Sequence, residues 1–80
     1  MNEKQKMIDK VSVLYREGLQ GAEKIRSEME YLKERMKTPS ISHSEYVRVE
    51  NKLEILKIRY DIQTHFIQGI SMAREALFSE

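Results

Sequence analysis

Thr38-Pro39-Ser40-Ile41-Ser42-His43-Ser44-Glu45-Tyr46 is the stretch on which the fold turns. Pro39, the one proline in the chain, has no amide hydrogen and steers the residue before it away from helical geometry. A first helix is therefore predicted to stop near residue 37. Ser42 and Glu45 then stand three apart, the spacing of a capping box. In such a box the hydroxyl accepts from an early helical amide and the carboxylate accepts from the amide of the cap itself. Ile41 and Tyr46 flank that cap as a hydrophobic staple. A second helix is predicted to begin at residue 43, with Ser44 as the alternative cap.

Outward from this turn, both arms carry apolar residues at alternating steps of three and four. Before it come Ile8, Val11, Tyr15, Gly18, Ala22, Ile25, Met29, Leu32 and Met36. After it come Tyr46, Val49, Leu53, Leu56, Tyr60, Gln63, Ile67 and Ile70, with Gln63 the single polar interruption. Each set is a heptad seam, and a short connection forces the two seams to pack antiparallel. The expected fold is all-α: an antiparallel two-helix hairpin forming one domain over residues 1–80. Helix 1 is predicted over about 3–37, the turn over 38–42 and helix 2 over about 43–78. At about 1.5 Å per residue each arm approaches ~50 Å, so the hairpin is a rod with little interior.

Composition sharpens that point. The chain has 80 residues and no cysteine, so neither a disulfide frame nor a Cys-based zinc site can support it. A domain of about this size rarely draws more than a few kcal/mol from its own core, which leaves oligomerisation or a partner to make up the difference. Fourteen Lys and Arg against thirteen Asp and Glu give a net charge of +1, with the signs interleaved, which argues against nucleic acid as a ligand. The amino end is not followed by an apolar run with a small-residue cleavage site, so no signal peptide is expected. No apolar stretch is long enough to cross a bilayer, so membrane insertion is not expected either, and the protein is expected to be cytoplasmic.

The second helix has more apolar residues than one seam can use. Ile55, Ile58, Ile62, Phe66, Ala73 and Leu77 form an additional stripe, joined by Ile70 near its end. At about 100° per residue, Ile58 and Ile62 lie about 160° from Leu56 and Tyr60, so one antiparallel mate cannot cover both sets. Each large side chain left in water forgoes roughly 1.5–3 kcal/mol of burial. An exposed apolar stripe of that length marks an interface. Leu14 and Leu19 of the first helix are expected to widen it. The predicted partner-binding set is thus Leu14, Leu19, Ile55, Ile58, Ile62, Phe66 and Leu77. Two occupants fit: a second copy in a homodimeric helical bundle, or an apolar groove of a larger protein. The two are compatible, because a homodimer can cover the stripe until a partner arrives.

Gly18 and Gly21 each cost about 1 kcal/mol relative to Ala inside a helix and so require a compensating reason. Close approach of the opposite helix, against Tyr60 or Ile67, is one reading. A hinge that frees the segment before Gly18 is the other. Gly69 admits the same two readings. Met29, Met36 and Met72 read as core filler. Between seam positions, pairs such as Lys24 with Glu28 and Arg26 with Glu30 describe a solvated face.

Chemistry-bearing constellations are few. His43 belongs to the cap region, and His65 four residues after Asp61 supplies two possible ligands without a third. There is no His-Glu-x-x-His, phosphate-binding glycine loop or cysteine nucleophile. No catalytic residue, metal ligand or cofactor is predicted, and the chain is not expected to be an enzyme.

With Arg16-Glu17 upstream, Leu32-Lys33-Glu34-Arg35-Met36 closing the first helix, Tyr46 early in the second, and an aliphatic second helix, residues 14–70 resemble the YscE family. These are small helical-hairpin co-chaperones of the type III secretion needle protein. The resemblance implies a cytoplasmic protein that stabilises a larger tetratricopeptide-like chaperone and helps keep the needle subunit unpolymerised. It also implies that the apolar face of the hairpin is given to that chaperone. The alternative is a homodimeric helical regulator or inhibitor. Small sporulation phosphatases are helical hairpins too, with a Ser-x-x-Leu-Asp motif toward a phosphorylated response regulator. Here Glu50-Asn51-Lys52-Leu53-Glu54 keeps only the leucine, which removes the hydroxyl and the shorter acid that such chemistry needs.

Overall fold

A computed structural model describes residues 2–79; residues 1 and 80, which the expected domain includes, lie outside the described ones. Two helices follow in chain order, α1 (Glu3–Met36) and α2 (His43–Phe78), packed along their length into an antiparallel hairpin. Asn2 caps α1, its side-chain oxygen accepting from the Gln5 amide at 2.8 Å. At the far end Lys37 N–H donates to Glu34 O, Thr38 N–H to Arg35 O and Ile41 N–H to Thr38 O, which closes the chain into the turn ahead of α2. Both arms match the predicted boundaries to within a residue.

Ser42, not Ser44, is the cap of α2, with Oγ accepting from the Glu45 amide at 3.2 Å. Only half of the expected capping box forms. The Glu45 carboxylate pairs with the Arg35 guanidinium across the turn instead of reaching back to Ser42. A cation supplies a stronger, charge-assisted partner than a backbone amide does. That hydrogen bond, reinforced by the Glu45 charge, raises the Arg35 pKa above its ordinary value.

The core sits at the turn end. Leu32, Val49, Leu53 and Leu56 are buried together, and Ile25, Met29 and Met36 pack against them. With extents of 60 × 16 × 14 Å, the rod leaves no side chain among the described residues fully enclosed. Every predicted seam position of α1 is buried or half-buried. Those of α2 are too, except Tyr46 at the mouth of the turn. The α2 seam then continues past Ile70, by steps of four and three, to Arg74 and Leu77, both half-buried. Arg74 lays its guanidinium over the rings of Tyr15 (5.4 Å) and Phe78 (5.6 Å), a cation–π arrangement that lets a charge occupy a seam position.

Helix α1 runs unbroken through Gly18 and Gly21, so close approach, not a hinge, explains the first glycine. A Cβ on Gly18 would lie 2.9 Å from Ile67 Cγ1. The polar interruption of the seam belongs to the same contact: Gln63 Nε2 donates to the Gly18 carbonyl at 3.0 Å. A Cβ on Gly21 would meet that same amide at 3.0 Å. Gly69 is different, since nothing lies within 4 Å of where its Cβ would be.

Two further expectations change. Met72 is largely exposed and is not core filler, because it lies well off the seam that Arg74 continues. Among the charges, Arg26 pairs with Glu23 at 2.8 Å, and Glu28 reaches across to Lys52 of α2 at 3.2 Å, in place of the predicted pairs with Glu30 and Lys24.

Candidate protein-binding surface

The strip on α2 is built by helical periodicity alone. Ile55, Ile58 and Ile62 recur at steps of three and four, and Phe66 follows by four, which keeps all four within about 40° of a common line. That line lies about 125° around α2 from the seam that faces α1. The mate therefore cannot reach it. Ile55, Ile58, Ile62 and Phe66 are 52%, 61%, 64% and 54% exposed. Covering what remains open on these four side chains is worth on the order of 4–5 kcal/mol, taking half of a full burial for each. Toward the open end of the hairpin the line runs on through Gly69 and Ala73, both exposed.

The other predicted members divide. Leu14 of α1 borders the strip, sharing a shallow concavity with Phe66, Gly69, Ile70 and Ala73. Leu19 does not. It lies on the opposite edge of the hairpin, beside Tyr60, Thr64 and Ile67. The reason is angular: five residues on a helix turn about 500°, which places Leu14 and Leu19 about 140° apart. Leu77 is half-buried and in register with the seam, three residues after Arg74, so it serves the hairpin itself. The α1 residues Met7 and Val13, more than two-fifths exposed, extend the apolar surface beside Leu14. Val13 escapes a seam-based reading because it falls on neither stripe.

Charge is arranged on both sides of the strip. By the same angular count, Arg48, Lys52 and Arg59 follow one edge, and Glu54 and Asp61 follow the other. Lys52 is engaged with Glu28, and Glu54 with Lys57 of its own helix at 3.3 Å. Arg48 and Arg59 form no ion pair with any described residue.

His65 lies at the edge of the same surface. Its Nδ1 is 2.8 Å from the Asp61 carbonyl oxygen and 3.7 Å from the Asp61 carboxylate, a local contact within one turn of helix. Among the described residues no group of three His, Asp or Glu side chains is placed to hold a metal ion. None of the described helices is long and apolar enough to cross a membrane. The surface offers apolar area bordered by charge, which suits it to another protein helix.

No protein-family profile, curated protein or solved structure matches this chain.

Proposed function

We propose that this chain works by binding another protein through the outer face of α2, with Ile55, Ile58, Ile62 and Phe66 as the docking residues and Leu14 at their edge. One observation carries the reading: four large apolar side chains, each more than half exposed, in line on a helix whose opposite side already holds the hairpin together. In a rod with so little interior, burial at this face is a stabilisation still open to the molecule.

The finer reading is a co-chaperone. The likeness of residues 14–70 to the YscE-type hairpins supports a larger, tetratricopeptide-like chaperone as the partner, with a type III secretion needle subunit kept unpolymerised by the pair in the bacterial cytoplasm. A concave array of helical repeats suits an amphipathic helix presenting apolar residues at steps of three and four. We assign no catalytic role.

The test is co-purification. The tagged chain and its Ile62→Asp variant are recovered from the native cells, and the retained proteins are identified by mass spectrometry. A helical-repeat chaperone held by the wild type and lost with Ile62→Asp, at unchanged helix content, is the expected result. Equal retention by both chains, or a retained set without such a protein, overturns it.

A further inference from the structure

We infer that, when no client is bound, the strip is occupied by a second copy of this chain, the two α2 helices running parallel with Glu54 of each copy meeting Arg59 of the other. This rests on the strip being an interface, as proposed above, and adds which molecule covers it and in what direction.

Charge complementarity in heptad register sets the direction of the pair. With Ile55 and Ile62 at a positions and Ile58 at d, Arg59 takes an e position and Glu54 the preceding g position. In a parallel pair, a g residue meets the e residue five places further on in the other helix, and 54 and 59 are five apart. Two-fold symmetry forms the contact twice, bracketing the Ile55–Ile58 layer. An antiparallel pair centred on Ile58 and Ile62 brings e to e and g to g. Arg59 then faces Arg59 of the second copy, and Asp61 faces Asp61. Over the Ile55–Ile62 span the charge pattern favours one direction and opposes the other.

The ions are free to act. Arg59 has no ion pair with any described residue, and Glu54 holds only Lys57, one turn along its own exposed helix face. Beyond Phe66 the strip narrows to Gly69 and Ala73, and Gly69 has open space in front of it.

Area sets the strength. From Ile55 to Ala73 the contact is about 27 Å long at ~1.5 Å per residue, and two helices packed over that length bury on the order of 1,000 Å² in total. That is the size of a weak, exchangeable interface. The expected dissociation constant is on the order of micromolar, loose enough for a partner with a larger groove to displace the second copy.

Sedimentation of the full chain from about 5 to 200 µM tests this. A reversible shift to twice the 9.5 kDa chain mass is expected. Glu54→Arg should weaken association about five- to tenfold, and the Glu54→Arg/Arg59→Glu double variant should recover most of it. A chain that stays monomeric throughout, or a double variant no tighter than the single one, overturns the inference.

Direction is read separately, because the chain has no cysteine of its own. Asn51→Cys, at the d position before Ile55, should form a disulfide with its own copy on oxidation, since facing d positions fall within disulfide reach. Crosslinking only when Asn51→Cys is mixed with Gly69→Cys, the position that faces it in the antiparallel pair, means antiparallel pairing and overturns it. A monomer that still retains its client through Ile62 refutes the second copy and leaves the proposed function standing. A dimer with no Ile62-dependent client does the reverse.

Discussion

Replacing Gly18 by Ala sets two known effects against each other at one atom. Inside a helix the change gains about 1 kcal/mol of propensity. The new Cβ, however, lies 2.9 Å from Ile67 Cγ1, where unstrained carbons sit about 3.5–4.0 Å apart. Ile67 is β-branched in a helix, so Cγ1 has essentially one rotamer and cannot swing aside. The helices must move apart instead. Overpacking of this kind costs about 1–3 kcal/mol, and separation also lengthens the 3.0 Å bond from Gln63 to the Gly18 carbonyl, worth about 1 kcal/mol. A net loss of about 1–3 kcal/mol is expected for Gly18→Ala. Gly69→Ala faces no atom within 4 Å, keeps the propensity gain alone and should stabilise by about 1 kcal/mol. For a chain this short each kcal/mol moves the melting temperature by about 4–8 °C, so opposite shifts are readily seen. The assay is thermal and urea unfolding followed by circular dichroism at one low concentration, since association would itself raise the apparent Tm. If Gly18→Ala stabilises as Gly69→Ala does, the close-approach explanation of this glycine is wrong.

Leu56, 3% exposed, should lose about 2–5 kcal/mol on change to Ala, enough to unfold much of the chain, whereas exposed Ile62→Ala should stay within about 0.5 kcal/mol in dilute denaturant titrations. Aspartate exaggerates the contrast: Leu53→Asp or Ile25→Asp should abolish helix content, while Ile62→Asp or Phe66→Asp should keep it and lose binding. Loss of helix in both sets alike would remove any separable interface. Ser42→Ala should destabilise by about 1 kcal/mol, because its Oγ caps the Glu45 amide, and Ser44→Ala should have little effect; equal losses from the two would move the helix start. Hydrogen exchange should be slowest around Leu32, Leu53 and Leu56 and faster toward Val11 and Ile70, which are only half-buried. Uniform protection along the rod would contradict that gradient.

How far the sequence could be read depends on what each residue answers to. Pro39, Ser42 and the three-four spacing of Val49, Leu53 and Leu56 act within one turn of the chain, so the hairpin and its boundaries were legible. The seam alignment was legible too, because a short turn leaves little freedom of register. The Gln63 interruption was not, since its partner is a carbonyl 45 positions away on the other helix. Arg74 was passed over because a cation breaks an apolar pattern, although Tyr15 and Phe78 give it a place there. Leu19 and Leu77 are not separable from the strip by hydrophobicity alone; the helical angle that sets Ile58 and Ile62 apart from the seam has to be applied to them as well. Continuing the steps of four and three from Ile70 would have placed Leu77 on the seam, and the angle to Leu14 would have sent Leu19 to the other edge.

The separation of seam from strip, about 125° around one helix, makes the two halves of the problem independent. Residues that hold α1 to α2 are too far around the helix to touch a molecule seated over Ile58 and Ile62. The strip residues, in turn, contribute little to the hairpin, since more than half of each remains in water. Selection on binding can therefore alter Ile55, Ile58, Ile62 and Phe66 at small cost to the fold. The reverse does not hold: the strip is presented only while α2 stays helical, and α2 is held by a core concentrated near the turn. A partner gripping the strip between Ile55 and Ala73 would bridge from that core toward the looser open end. Binding there should tighten the half of the rod that its own packing secures least.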